Sequence, residues 1–326
     1  MKKEVNIIGH KNPDTDSICS AISYAWLKNK IEENTADQCR YIARRAGQIS
    51  SETAFVLNAF HMEVPSYIND VRSQVQDANL DESHPVDSTL SLKNAWRILN
   101  ERHLATLPVV DKSNHLEGLI TLGDIAKSFM GVYGSTILSE AKTPYKNILE
   151  TIDGELLVGN PDGVVTRGKV LIAAANPDLM ENYIEEDDIV ILGDRYESQL
   201  CAIEMNASCL IVCMGADVSF SIQKLAQDKG CAIMKTEYDT FITARLLNQS
   251  IPISHFMVRD HLITFRLDNF VEDIKNIMAG QRHRDFPVLD REDRFIGMLS
   301  RHSLIDMNKK KLILVDHNEK SQAVDG

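Results

Sequence analysis

Leu107–Ile125 reads LPVVDKSNHLEGLITLGDI, and Phe286–Leu304 reads FPVLDREDRFIGMLSRHSL. The two stretches align without a gap, with Pro-Val, Asp, Gly and a hydroxyl residue in the same places. In each, two apolar runs flank a polar turn, the pattern of two short strands. An amphipathic helix precedes each copy (TLSLKNAWRILNERH, then NFVEDIKNIMAGQRH), and LGDIAKSFM or RHSLIDMN follows. The chain therefore holds an internal repeat in two separated copies, a stronger signal than any single motif.

Between the copies, GKVLIAAANPD, DIVILGDRYES and ASCLIVCMGAD are near-continuous apolar strands, alternating with the helical stretches ESQLCAIEMN and SIQKLAQDKG. That unit reads as α/β. Outside the copies, VNIIGH is a strand and SICSAISYAWLKNKI an apolar helix with Asp16 or Ser17 as N-cap. CRYIARR is a second strand, SSETAFVLNAFHM a helix opening on a capping-box-like pattern, and LILV near the carboxyl end a buried-type strand. Joined across the middle, residues 1–65 and 312–326 read β-α-β-α-β, half of a doubly wound parallel sheet. The predicted fold class is α/β: an incomplete doubly wound parallel-sheet domain interrupted by an insert. The expected domains are 1–65 plus 312–326, 66–135, 136–250 and 251–311.

The 326 residues carry 35 Lys and Arg against 47 Asp and Glu, a net charge of −12. No basic footprint for a nucleic-acid backbone is present. No run approaches the roughly 18 apolar residues of a membrane span, and Lys2 and Lys3 lead only into a short strand, not a secretory segment. Six cysteines are scattered without a Cys-x-x-Cys pair. Cys209 and Cys213, four apart along a strand, are beyond disulfide reach and read as buried thiols. The expected compartment is the reducing cytoplasm.

Ligands of an open parallel sheet bind beyond the carboxyl ends of its strands. The first and last strands end on GHKNPDTDS and VDHNE, so His10, Asp14 and Asp16 are expected to face one crevice with Asp316. Three carboxylates and an imidazole at one point need a cation, and mixed nitrogen and oxygen ligation suits manganese, cobalt, iron or zinc better than calcium. Pro13 holds Asn12 extended and shapes the loop, and the following helix aims its N-terminus at the site, favouring phosphate. Taken singly, an Asp-x-Asp loop is turn chemistry and a lone His10 a hydrogen-bonded residue. Read as one string, GHKNPDTDSICSAI favours the metal.

That string resembles the signature of the DHH phosphoesterases, most closely the family II, manganese-dependent inorganic pyrophosphatases. ARRAGQISSET and LILVDHNEKSQ resemble that family's next two blocks, in the same order. The repeats resemble a pair of CBS domains, and GDRYESQLCAIEMNASCLIVCMG resembles a DRTGG domain lacking the Thr-Gly-Gly of the name. A CBS–DRTGG–CBS insert in a catalytic DHH domain is similar to the regulated subclass of these pyrophosphatases. The resemblance implies that His10, Asp14, Asp16 and Asp316 ligate metal, with Asp316 bridging two divalent ions and Asp16 and Asp316 catalytic. It implies manganese or cobalt as cofactor, magnesium accompanying the substrate, and hydrolysis of pyrophosphate to two phosphates. It also implies an Asp-His-His motif after Glu319 and a second domain with Lys and Arg substrate contacts. Neither lies within the 326 residues, so the expectation is a chain truncated before that motif and holding part of the active site.

In CBS pairs a Thr/Ser-x-x-Asp step holds the ribose of an adenine nucleotide. Thr121 and Asp124 provide it in the first copy; the alternative is that Asp124 caps its helix. In the second copy the step reads Ser300, Arg301, His302, Ser303, with no carboxylate, and Arg301 and His302 are offered to phosphates. Thr121, Asp124, Ser300 and Arg301 are thus the candidate nucleotide contacts. The resemblance implies regulation by AMP, ADP, ATP or diadenosine polyphosphates, and a homodimer. A second reading is a non-catalytic adenine-nucleotide-sensing CBS/DRTGG module.

Overall fold

The computed structural model describes residues 3–33, 39–68, 70, 72–281, 284–305 and 311–315. The chain divides into two units. The first comprises Met1–Asp81, Phe265–Arg284 and Leu299–Gly326; the second comprises Glu82–Thr264 and Asp285–Met298.

The chain opens with β1 (Lys3–Ile8), whose Val5, Ile7 and Ile8 are buried. Helix α1 (Thr15–Glu32) follows. It begins before the expected N-cap positions, Asp16 and Ser17, because Asp14 caps it: the backbone there is extended and Asp14 Oδ1 accepts the Ser17 N–H at 2.9 Å. Strand β2 (Cys39–Arg45) runs parallel to β1, and α2 (Ser51–Ala59) is capped by Ser50, which accepts the Thr53 N–H at 3.0 Å. At the fourth position of the Ser-Ser-Glu-Thr pattern, Thr53 meets Ser50 hydroxyl to hydroxyl at 2.9 Å. A two-residue strand, β3 (Ser66–Tyr67), extends the sheet beyond β2.

In the second unit, α3 (Leu92–Glu101), β4 (Thr106–Val110), β5 (Leu116–Thr121) and α4 (Leu122–Met130) form the first repeat, β4 and β5 pairing antiparallel. Short helices α5 (Ile137–Glu140) and α6 (Tyr145–Thr151) lead into β6 (Glu155–Val158). Then come β7 (Val170–Ile172), α7 (Pro177–Met180), β8 (Ile189–Leu192), α8 (Tyr196–Glu204), β9 (Cys209–Val212), α9 (Phe220–Lys229), β10 (Ala232–Lys235) and α10 (Thr240–Leu247). The sheet order is β6-β10-β9-β8-β7, parallel except for β6.

Strands β8 and β9 are buried at every position, as parallel strands covered on both faces must be. Their side chains alternate between two cores. Ile189, Ile191, Cys209 and Ile211 join Leu107, Ile120 and Ile125 of the first repeat. Val190, Leu192, Leu210 and Val212 pack with Ala202, Ile203, Ile222 and Ala226 of α8 and α9. Each buried Ile, Leu or Val contributes on the order of 1.5–3 kcal/mol, so the first repeat and the central sheet stand on one shared core. All six cysteines are free thiols. Burial raises Cys209 well above the ordinary thiol range and pushes Cys231 up to about 12.

After a two-residue strand, β11 (Phe265–Arg266), come α11 (Val271–Ala279), β12 (Asp285–Leu289), β13 (Phe295–Ser300), α12 (Arg301–Ile305) and β14 (Lys311–Leu314). Leu289, Phe295 and Met298 of the second hairpin pack on Val110, Leu116 and Leu119 of the first. The two hairpins turn alike. Asp111 accepts the N–H groups of Ser113 and His115, Asp290 those of Glu292 and Arg294, and Asn114 and Asp293 both have positive φ, 66° and 62°. Strand β14 returns to the first unit parallel to β1, from Val5 opposite Lys311 to Ile8 opposite Leu314, completing the order β14-β1-β2-β3. The two ends of the chain thus meet in one parallel sheet. Among the described residues no helix is long and apolar enough to cross a membrane.

Candidate functional site

The first motif is a strand end folded tightly onto a helix start. A Cβ at Gly9 would lie 1.8 Å from Ser17 Oγ, and one at Gly47 would lie 2.5 Å from the Lys11 carbonyl and 2.6 Å from Pro13 Cδ. Only glycine admits those approaches, so the end of β2 comes against the KNP loop after β1. Pro13 and Ser17 are buried here, and Ser17 Oγ has no hydrogen-bond partner. Arg45 ties the crevice wall, donating to the carbonyls of Gly47 at 2.7 Å and Pro65 at 3.0 Å. Gly9, Gly47 and Arg45 were not singled out as site residues from sequence; the short polar run after each strand was the available signal.

His10 and Asp14 come together, Nε2 to Oδ1 at 3.4 Å. Two donors sharing a cation at 2.0–2.2 Å and a near-tetrahedral angle stand roughly 3.4 Å apart, so this pair fits the first two ligands of a divalent ion. Asp16 sits exposed in the first turn of α1. It lies on the side of Cys19, whose thiol is raised by burial first and by the Asp16 charge second. Residues two apart on a helix face different ways. Among the described residues no group of three or more His, Cys, Asp or Glu is gathered for a metal. Strand β14 ends level with β1, the Val315 N–H donating to the Ile8 carbonyl at 2.9 Å. Asp316, the next residue in sequence, lies outside the described residues.

In the first repeat, Thr121 and Asp124 form a capping box at the start of α4. Asp124 Oδ2 accepts the Thr121 N–H at 3.0 Å and hydroxyl at 2.7 Å, and Lys127 Nζ lies 3.8 Å from Oδ1. Capping, the alternative reading of Asp124, is thus present in the unliganded chain, and the step is built with its carboxylate in place.

The second repeat differs from expectation. A carboxylate is present after all: Asp81 Oδ2 accepts the Ser300 N–H at 3.0 Å and the Ser303 hydroxyl at 2.8 Å. No signal in the second copy itself points to Asp81. Arg301, offered from sequence to a phosphate, instead donates through Nη2 to the carbonyls of Met278 and Gln281, each at 2.7 Å. The Met278 carbonyl lies in the last turn of α11 and the Gln281 carbonyl just past its end.

Comparison with known proteins places these features. The CBS domain matches residues 77–131 and 253–309, and the DRTGG domain matches 147–250. The cobalt-dependent inorganic pyrophosphatase of Clostridium perfringens is 38% identical over the whole chain, and a probable manganese-dependent inorganic pyrophosphatase of Thermotoga maritima is 32% identical over 99% of it. The chain spans 58% of the length of each. A crystal structure of the CBS and DRTGG domains of the regulatory region of Clostridium perfringens pyrophosphatase, complexed with the activator diadenosine tetraphosphate, matches with a TM-score of 0.68 and 35% identity. It covers 71% of this chain and all of that one. The class is therefore a CBS–DRTGG regulatory block set into an α/β sheet. The chain carries the CBS and DRTGG domains of such a pyrophosphatase regulatory region, and the curated relatives it resembles are cobalt- and manganese-dependent inorganic pyrophosphatases.

Proposed function

We propose that this chain carries the first metal-ligand motif and the nucleotide-sensing block of a manganese- or cobalt-dependent inorganic pyrophosphatase regulated by adenine nucleotides. The observation that carries the regulatory half is the match to a nucleotide-bound regulatory region across that chain's whole length. The catalytic half is supported by the 3.4 Å approach of His10 to Asp14 at the carboxyl end of a parallel sheet. In this reading His10, Asp14, Asp16 and Asp316 would hold the divalent metal. The bound metal supplies charge stabilisation for pyrophosphate and acidifies the attacking water. The chain's own part is to hold two donors in register, through the Asp14 cap, and to aim the N-terminus of α1 at phosphate.

Manganese binding followed by electron paramagnetic resonance tests the ligand pair apart from activity. Asn caps a helix as well as Asp, so Asp14→Asn keeps α1 while removing the charge; at least a tenfold loss of affinity is expected. Unchanged binding in both Asp14→Asn and His10→Ala would sink the metal assignment. Phosphate release from pyrophosphate with added manganese or cobalt tests catalysis. Nucleotide binding without release would leave the sensing module as the whole function.

Thr121 and Asp124 are assigned to the ribose of AMP, ADP, ATP or a diadenosine polyphosphate, and Ser300 to the second step. The reading includes a reducing, cytoplasmic compartment and a homodimer. Helices α3 and α4 expose Trp96, Phe129 and Met130, the kind of apolar surface that marks protein association. Sedimentation should give twice the chain mass, and Met130→Glu should shift it toward monomer.

A further inference from the structure

Asp81 stands where the chain changes units. It is the last residue of the first unit before Glu82, and Leu299 is the residue at which the chain finally returns. Its contacts to Ser300 and Ser303 span 219 and 222 positions. In the first repeat, Asp124 does the same work within three positions, accepting a backbone N–H at 3.0 Å and a hydroxyl at 2.7 Å. The second repeat has Ser303 where the first has Asp124. A serine hydroxyl does approach the Ser300 N–H, at 3.2 Å, but a carboxylate acceptor is roughly twice as strong. The missing group is replaced from a distant part of the chain.

The segment carrying Asp81 is already anchored. The Val75 N–H donates to the Asn269 carbonyl at 3.0 Å, the Gln76 N–H to Leu267 at 2.9 Å, and the Val271 N–H to Ser73 at 2.9 Å. Arg72 stacks 3.6 Å from the Phe270 ring centre, and Val75 is fully buried. Asp81 lies just past this anchor, at the last point before the crossing.

We propose that Asp81 is the carboxylate of the second repeat, supplied from a distant part of the same chain, and that its bonds to Ser300 and Ser303 form a clasp. The clasp fastens the outgoing connection, residues 78–81, to the returning one, residues 299–303. Opening the equivalent bonds in the first repeat frees one helical turn. Opening them in the second frees one chain crossing from the other, on the segment that leads to β14 and its register with β1. As a path for regulation the clasp rests on the proposed nucleotide reading; as a structural coupling it does not.

Hydrogen exchange on the full 326-residue chain tests it. In Asp81→Ala, peptides covering 78–82 and the Ser300 amide should both exchange about tenfold faster or more, the scale of a lost charged hydrogen bond. In the double variant Asp81→Ala/Ser303→Asp the carboxylate returns in cis, so Ser300 should regain protection while 78–82 stays fast. Unchanged exchange at 78–82 in Asp81→Ala, or its restoration by Ser303→Asp, would overturn the clasp. Saturating AMP should slow exchange at 299–303 in the wild type but not in Asp81→Ala; equal slowing in both would remove the clasp from the regulatory path. Absence of AMP binding would sink the nucleotide reading alone, with the unliganded comparison still deciding the coupling.

Discussion

The two repeats share the same hairpin turn, yet they secure the step that follows it in different ways. Both turns use an aspartate, Asp111 or Asp290, to collect two backbone N–H groups, and both place the next-to-last turn residue at positive φ. After the second strand the copies part. The first closes its step locally with Asp124 at the start of α4; the second borrows Asp81 across 219 positions at the start of α12. A local bond stabilises its own helix, whereas a long-range one also couples distant segments. On the proposed reading, the first copy serves recognition and the second transmission.

Core truncation gives the largest expected effect and asks whether the copies are equally built. Leu107 and Phe286 open the aligned strands and are both fully buried. Leu107→Ala should cost about 2–5 kcal/mol and Phe286→Ala about 3–5 kcal/mol of unfolding free energy, read by denaturant titration. A cost below 1 kcal/mol at either site would mean that hairpin is not part of a packed core. Next, Asp124→Ala should lose about 1 kcal/mol of capping and weaken AMP roughly tenfold, the factor that 1.4 kcal/mol represents. Ser303→Ala should perturb the connections more than the nucleotide.

The turns offer a finer discrimination. Alanine at Asn114 or Asp293 should cost about 1 kcal/mol, because it lacks the short polar side chain whose local hydrogen bonds let Asn and Asp adopt the left-handed backbone. Glycine should not wholly recover that cost at 114, where Asn114 Nδ2 donates to the Phe295 carbonyl at 2.7 Å. The smallest effect is on pH dependence. Backbone N–H groups hold both Asp111 and Asp290 below the usual carboxylate range, led by His115 and Arg294 respectively. A depressed folded-state pKa contributes stability above the unfolded value, near 3.9, that is lost as pH falls through the folded value. Stability should therefore drop below about pH 4, and Asp111→Asn and Asp290→Asn should each flatten that limb.

Periodicity and repetition made most of the architecture legible. The repeat located both hairpins, and LILV carried enough strand character to bring the two chain ends into one sheet. The N-cap of α1 was misplaced because DTDS offers several capping side chains, and only the backbone at Asp14 decides among them. Strands β6 and β10 went unread although they are no shorter than β8 and β9; β6 runs antiparallel, outside the strand–helix alternation that located the others. At the candidate site, the approach of His10 to Asp14 was readable from the polar cluster that follows the first strand. Asp81 was not: its partners are remote in sequence, and no local motif announces a carboxylate borrowed from elsewhere. The destination of the Arg301 guanidinium was likewise hidden, because it depends on where α11 ends.

Titration calorimetry with diadenosine tetraphosphate, on wild-type chain and Asp124→Ala side by side, tests the central claim most directly. The account predicts saturable binding by the wild type and a roughly tenfold weaker isotherm for the variant. No binding by the wild type, or superimposable isotherms, would contradict it.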